Sequence, residues 1–200
     1  VDAVMIRAKS HEDIETFAKY SSVPVINGLS DMSHPCQALA DLLTIREHKG
    51  DLENVRVSYI GDVNNVCASL MVACERLGAQ ITVSCPSVYA PVKEAFPEVR
   101  FVEDPVQAVS RAEVIYTDVW VSMGQEEETN ARMEAFAPYR VTLDLLNSAS
   151  KDAIFMHCLP AHRGQEVVDE VMESAASVVF DQAENRLHAQ KAILLQLLKG

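Results

Sequence analysis

The chain has 200 residues, 48% apolar and 23% charged, with 17 basic against 29 acidic side chains and a net charge of −12. That length can bury one large domain or one and a half smaller ones. The acidic surplus excludes broad nucleic-acid binding, because nothing in excess neutralises a phosphate backbone.

A small anionic ligand stays compatible, since a few converging arginines create a local positive pocket. No apolar run reaches membrane-spanning length. Five cysteines (36, 67, 74, 85 and 158) without a C-x-x-C pair read as free thiols of a reducing, cytoplasmic setting. The chain opens at Val1-Asp2-Ala3-Val4, inside what reads as a buried strand and without an initiator methionine, as a fragment would.

In chain order, short β-branched runs predict strands at 3–6, 23–26, 55–60, 80–84, 100–102, 114–117, 139–143 and 153–157. Helical spacing predicts helices at 11–20, 36–49, 66–77, 105–111, 130–136, 167–173 and 188–198. Gly50 and Gly78 stand where helices close. This alternation implies βαβ units: an α/β fold with a doubly wound, Rossmann-like parallel sheet and helices on both faces. The turn at 50–54 divides the chain into the tail of an earlier domain at 1–50, a sheet domain at 51–186 and a terminal helix at 187–200.

Several strand ends carry chemistry-bearing residues. Gly61-Asp62-Val63-Asn64-Asn65 follows the strand at 55–60. A dinucleotide turn needs three glycines for close approach of the pyrophosphate, so the single glycine argues against a nicotinamide cofactor. The asparagines either present amides to a polar ligand or cap the next helix, the cap being the simpler reading. In His34-Pro35-Cys36-Gln37 the proline suits a first helical turn. His34 and Gln37 could then meet a carbonyl or phosphate at the positive helix end, or simply cap it and face solvent.

Asp118, after the strand at 114–117, can bind a ligand ammonium, with Ser122 and Met123 positioning it. Trp120 reads as packing, and the acidic run at 125–128 as a solvated first turn. His157-Cys158-Leu159-Pro160 ends the last strand, with His162 close by. No second Cys/His pair at zinc spacing appears, so a metal is not expected. Cys158 could be a nucleophile with an unplaced base, or a neighbour that tunes the substrate's protonation. Arg7 and Arg186 would be ordinary surface residues alone, but facing one cleft they match phosphate or carbamoyl oxygens.

Together, His34-Pro35-Cys36-Gln37, Asp118 through Ser122-Met123-Gly124, His157-Cys158-Leu159-Pro160 and Ala183-Glu184-Asn185-Arg186 resemble the transcarbamylases in order and spacing. The Ser-Met-Gly loop and the cysteine of the His-Cys-Leu-Pro loop resemble the ornithine-specific branch of that aspartate/ornithine family. The resemblance implies carbamoyl transfer from carbamoyl phosphate to the δ-amine of L-ornithine, as in arginine biosynthesis, without metal or cofactor. It also implies a homo-oligomer, a trimer or a multiple of one.

It assigns Arg7, His34, Gln37, Cys158, Leu159 and Arg186 to carbamoyl phosphate. Asn65, preferred over Asn64, is assigned with Asp118, Ser122 and Met123 to ornithine, and Cys158, Arg7, His34 and Asp118 to catalysis. The family's Ser-x-Arg-Thr-Arg phosphate loop is not in the sequence. The expectation is a chain lacking about the first third of the natural protein and catalysing poorly alone. A non-catalytic amino-acid-binding homologue, or a transferase for another amine such as putrescine, are the alternatives.

Overall fold

The computed structural model describes residues 1–90, 95–122 and 126–199. It opens with two parallel strands, β1 (Val4–Arg7) and β2 (Val25–Leu29), joined through helix α1 (His11–Tyr20). Ser10 caps α1 by accepting the Asp13 N–H at 3.1 Å. Helix α2 (Pro35–Lys49) starts at a proline and stops at Gly50, whose φ of 85° a side chain would resist.

A five-stranded sheet follows: β3 (Arg56–Ile60), β4 (Gln80–Ser84), β5 (Arg100–Val102), β6 (Val114–Thr117) and β7 (Ile154–His157). All neighbours are parallel and the order is β5-β4-β3-β6-β7. Parallel pairs need crossovers, supplied here by helices α3 (Asn65–Leu77), α4 (Pro105–Val109), α5 (Thr129–Phe136) and α6 (Leu143–Asn147). Helices α7 (Asp169–Met172) and α8 (Val179–Lys199) complete the chain.

Because both faces are covered, β6 and β7 are buried at every position and read as continuous rather than alternating apolar runs. Tyr59 and Tyr116 stack across β3 and β6 at 5.6 Å between ring centres. Phe155, Met156, Leu70 and Met71 fill the same core. The doubly wound α/β expectation therefore holds.

From β3 the chain winds outward through β4 to β5, then returns to place β6 and β7 on the other side of β3. The loops after β3 and β6 leave in opposite directions, which opens a crevice at the carboxyl edge. Helix α2 packs on both α3 and α8, which brings the opening segment against that edge.

Two expectations are corrected. Residues 139–143 are not a strand: a 3-10 turn at Ala137–Tyr139 leads to a single bridge between Val141 and Val167. The Thr142 hydroxyl then caps α6 by accepting the Leu145 N–H at 3.3 Å, so its β propensity is overridden by capping. The terminal helix begins at Val179 rather than at 188, so Arg186 lies inside it rather than before it. Its early turns bury Gln182 and Asn185, polar residues that a search for apolar periodicity passes over.

No helix among the described residues is long and apolar enough to cross a membrane. Phe155 is fully buried in the sheet core. Phe155→Ala should lower the unfolding free energy by about 3–5 kcal/mol, read from urea denaturation with an unchanged slope.

Candidate active site

Asn64 and Asp118 meet in the crevice between β3 and β6. Asn64 is the N-cap of α3, its Oδ1 accepting the N–H groups of Val66 and Cys67 at 3.0 and 3.1 Å. Its Nδ2 donates to Asp118 Oδ2 at 2.7 Å. The Cys158 thiol donates to Asp118 Oδ1 at 3.1 Å, so both oxygens of this buried carboxylate are held. Burial, and then the Asp118 charge, push the thiol well above its ordinary range. Cys158 is a neutral hydrogen-bond donor, not a thiolate nucleophile. The neighbouring Asn65 donates its Nδ2 to the Ser30 carbonyl at 2.6 Å, tying α3 to the opening segment.

The second cluster surrounds His34. Its backbone N–H donates to Ser69 Oγ at 2.7 Å, and its ring makes no capping bond to α2. Burial, then the charges of Arg186 and Arg7, lower the imidazole to about 4, so it is neutral at physiological pH. Arg7 stands exposed at the end of β1. Gln37 is buried; its Oε1 accepts from Arg186 Nη1 at 2.5 Å and its Nε2 donates to Asp41 Oδ1 at 2.8 Å.

His34 thus occupies the N-cap position of α2 without a side-chain capping bond, and Gln37 is buried rather than solvated. His34 Nδ1 and Arg186 Nε are buried without a hydrogen-bond partner among the described residues. Two guanidiniums, a neutral imidazole and two unsatisfied polar atoms make a place for a small anion with a carbonyl-type oxygen.

The loop after β7 is braced from within. Leu159 sits at φ 56°, which costs a branched residue roughly 1–3 kcal/mol. Its N–H donates to His157 Nδ1 at 2.9 Å. His157 Nδ1 is thus an acceptor, and Nε2 carries the proton toward Glu166 Oε1 at 3.1 Å. The same Glu166 oxygen accepts the His162 N–H at 2.5 Å, closing the loop. Asp118, His157 and Cys158 have donor atoms within 4.8 Å of one another. Both nitrogens of His157 and the thiol are already committed, so the trio is a structural brace rather than a ligand set.

Arg132, which sequence reasoning passed over, braces the start of the loop after β6. It pairs with buried Asp62 at 3.1 Å and with Glu128 at 3.1 Å, and it donates to the Trp120 carbonyl at 3.1 Å. Its guanidinium also lies 4.7 Å from the Tyr89 ring centre. Trp120 is packing, as expected, stacked on Phe136. Ser122 is half-buried beside it, and Met123 lies outside the described residues.

Asp41, Tyr116, Gln182 and Glu166 were also missed. Asp41 follows Gln37 by four residues on one helix face, a spacing that could have found it. A cavity of about 470 Å³ lined by Arg56, Gln80, Phe96, Arg100 and Arg111 lies at the opposite, amino edge of the sheet, away from all of these groups. Removing one partner of the buried Arg132–Asp62 pair strands a charge. Arg132→Leu should destabilise by about 3–5 kcal/mol in chemical denaturation.

Residues 53–197 match the family described as aspartate/ornithine carbamoyltransferase, Asp/Orn binding domain, and residues 1–47 match its carbamoyl-P binding domain. The chain is 56% identical over 205 residues to an ornithine carbamoyltransferase of Archaeoglobus fulgidus, covering 99% of this chain and 67% of the relative. The ornithine carbamoyltransferase structure from Pyrococcus furiosus superposes with a TM-score of 0.95 at 53% identity, covering 100% of this chain and 67% of that one. The Giardia lamblia ornithine transcarbamoylase structure gives 0.91 at 32% identity, covering 99% and 70%. The chain thus spans about two thirds of its relatives' length, and it belongs to the aspartate/ornithine carbamoyltransferase family of enzymes.

Proposed function

We propose that this chain is the larger part of an enzyme that moves the carbamoyl group of carbamoyl phosphate onto the δ-amine of L-ornithine, giving L-citrulline and phosphate. The observation that carries the reading is the Asn64–Asp118–Cys158 contact together with a positive cluster of Arg7 and Arg186 around His34, Arg186 being linked to the His157-Cys158 segment through Gln37, Asp41 and Gln182. One end suits an ammonium and the other an anion, as a carbamoyl donor and an amino-acid acceptor require.

In this reading Arg7, His34, Gln37 and Arg186 hold carbamoyl phosphate, while Asn65, Asp118, Ser122 and Met123 receive ornithine. Neutral His34 can donate a hydrogen bond to the carbamoyl oxygen without adding a charge that the departing phosphate would have to leave. The guanidiniums of Arg7 and Arg186 stabilise the developing oxyanion and then the phosphate. Cys158 and Leu159 sit at the reacting centre. The neutral thiol supports direct attack by the amine over a covalent S-carbamoyl (thiocarbamate) intermediate, with acceleration from positioning and electrostatics.

Arginine biosynthesis, a cytoplasmic setting and assembly as a trimer or a multiple of one belong to the same proposal. They rest on the family resemblance.

The family's phosphate loop is outside this sequence, so the test uses a complete carbamoyltransferase chain that contains these residues. An acceptor panel of ornithine, an acylated ornithine, putrescine and aspartate is incubated with carbamoyl phosphate, and ureido product is measured. Ornithine should lead. Preference for another amine, or binding without turnover, would sink the reading. Asp118→Asn should lower kcat/KM for ornithine by about 10- to 100-fold, the worth of one hydrogen bond to a charged group, while the KM for carbamoyl phosphate stays near wild type.

A further inference from the structure

One buried carboxylate has no part in the roles assigned above. Asp41, on α2, is fully buried. It accepts from Gln37 Nε2 at 2.8 Å and Gln182 Nε2 at 2.7 Å on one oxygen, and from the Tyr116 hydroxyl at 3.1 Å on the other.

The direction of both amide bonds is forced. Arg186 can only donate, so Gln37 turns its oxygen to Arg186 and its amide nitrogen to Asp41. The His157 backbone N–H can only donate, so Gln182 gives it Oε1 at 2.9 Å and keeps Nε2 for Asp41 and for the Tyr116 oxygen at 3.1 Å. The Tyr116 hydroxyl keeps one hydrogen, which an ionised Asp41 accepts at 3.1 Å. As a carboxylate, Asp41 receives all three bonds.

We propose that Asp41 is a positioning residue: a buried anion that sets the Arg186 guanidinium through Gln37 and the His157-Cys158 segment through Gln182 and Tyr116. Both ends of the crevice are thereby registered against one group. The kinetic consequence rests on the carbamoyl-transfer reading, whereas the consequence for the Cys158 thiol does not.

The titratable and charged groups around Asp41 come from every packed element. They are Tyr116 from β6, Arg186 from α8, Cys74 from α3 and Cys158 after β7, with Gln37 and Gln182 as its neutral donors. Burial raises the carboxyl to about 6, against the three hydrogen bonds and the more distant Arg186. As pH falls through that value the carboxyl gains a proton on the oxygen that faces Tyr116, so the phenol turns from donor to acceptor there and the charge that holds Gln37 and Gln182 is lost.

The Asp41 charge also raises the Cys158 thiol, while the Tyr116 hydroxyl beside that sulfur lowers it. Asp41→Asn removes the charge. Its amide nitrogen can donate to the Tyr116 oxygen, which frees the phenol hydrogen for the sulfur. Both changes favour the thiolate.

The test compares Asp41→Asn with wild type in the complete carbamoyltransferase chain. Alkylation of Cys158 by iodoacetamide, resolved by peptide mass spectrometry, should accelerate severalfold at mildly alkaline pH. The KM for carbamoyl phosphate should rise about tenfold, the scale of one charge-assisted hydrogen bond, with a smaller change in kcat. The acid limb near the Asp41 value of about 6 should disappear from the pH profile. A merely structural role would move the Tm but neither the thiol rate nor the limb.

Wild-type alkylation and an unchanged acid limb in the variant would overturn the proposal. A faster thiol in a protein that does not carbamoylate ornithine would instead retire the functional reading and leave Asp41 in its role. Should Asp41→Asn not fold, Tyr116→Phe removes the phenol, which donates to Asp41 and accepts from Gln182, and leaves the carboxylate in place. It should slow Cys158 alkylation and move the acid limb toward neutral pH, and an unmoved limb would overturn the proposal.

Discussion

The 2.7 Å hydrogen bond from Asn64 to Asp118 bridges the place where the sheet reverses its winding. Parallel strands point all their carboxyl ends one way, so only where neighbouring loops depart in opposite directions is there room for a ligand. Asn64 caps α3 with its oxygen and clamps Asp118 with its nitrogen. Helix start and crevice wall are therefore set by one side chain. The Cys158 thiol on the other carboxylate oxygen then fixes the loop after β7 to the same point.

Electrostatics divide the crevice in two. A chain with a net charge of −12 nevertheless gathers Arg7 and Arg186 around a buried, neutral His34. Desolvation and two cations act on the imidazole in the same direction, which holds it uncharged where a charged ring would add to an already positive pocket. At the Cys158 end of the crevice the sign reverses. Asp118 and Asp41 each raise the Cys158 thiol, so the sulfur serves as a donor. The buried amides of Gln37 and Gln182 separate the two regions, and each faces a donor on one side and an acceptor on the other.

Local signals and tertiary signals were unequally legible. Proline at the start of α2, glycine at its end and the buried apolar runs of β3, β6 and β7 all announce themselves, because each depends on a residue's own backbone preference or on period alone. The β propensity of Val141 and Thr142 misleads, since Thr142 uses its hydroxyl to cap α6. The first two turns of α8 were invisible for a related reason. Gln182 and Asn185 are buried polar residues whose partners come from strands and helices far away in sequence, and no local pattern marks them.

The same division holds for the site. By itself the sequence determined the class of fold, the strand-end loops and the residue types in them, including His34, Asp118, Cys158 and Arg186, and with these the family. Only the tertiary structure decided which of two asparagines clamps Asp118, that Cys158 is a protonated donor and that Arg132 and Glu166 brace the loops. It also decided that Asp41 joins the two ends of the crevice. The physical reason is that hydrogen-bond direction, burial and the charge a group feels are properties of neighbours brought together by folding, often more than a hundred residues apart along the chain. Periodicity and propensity report only on residues near one another in sequence.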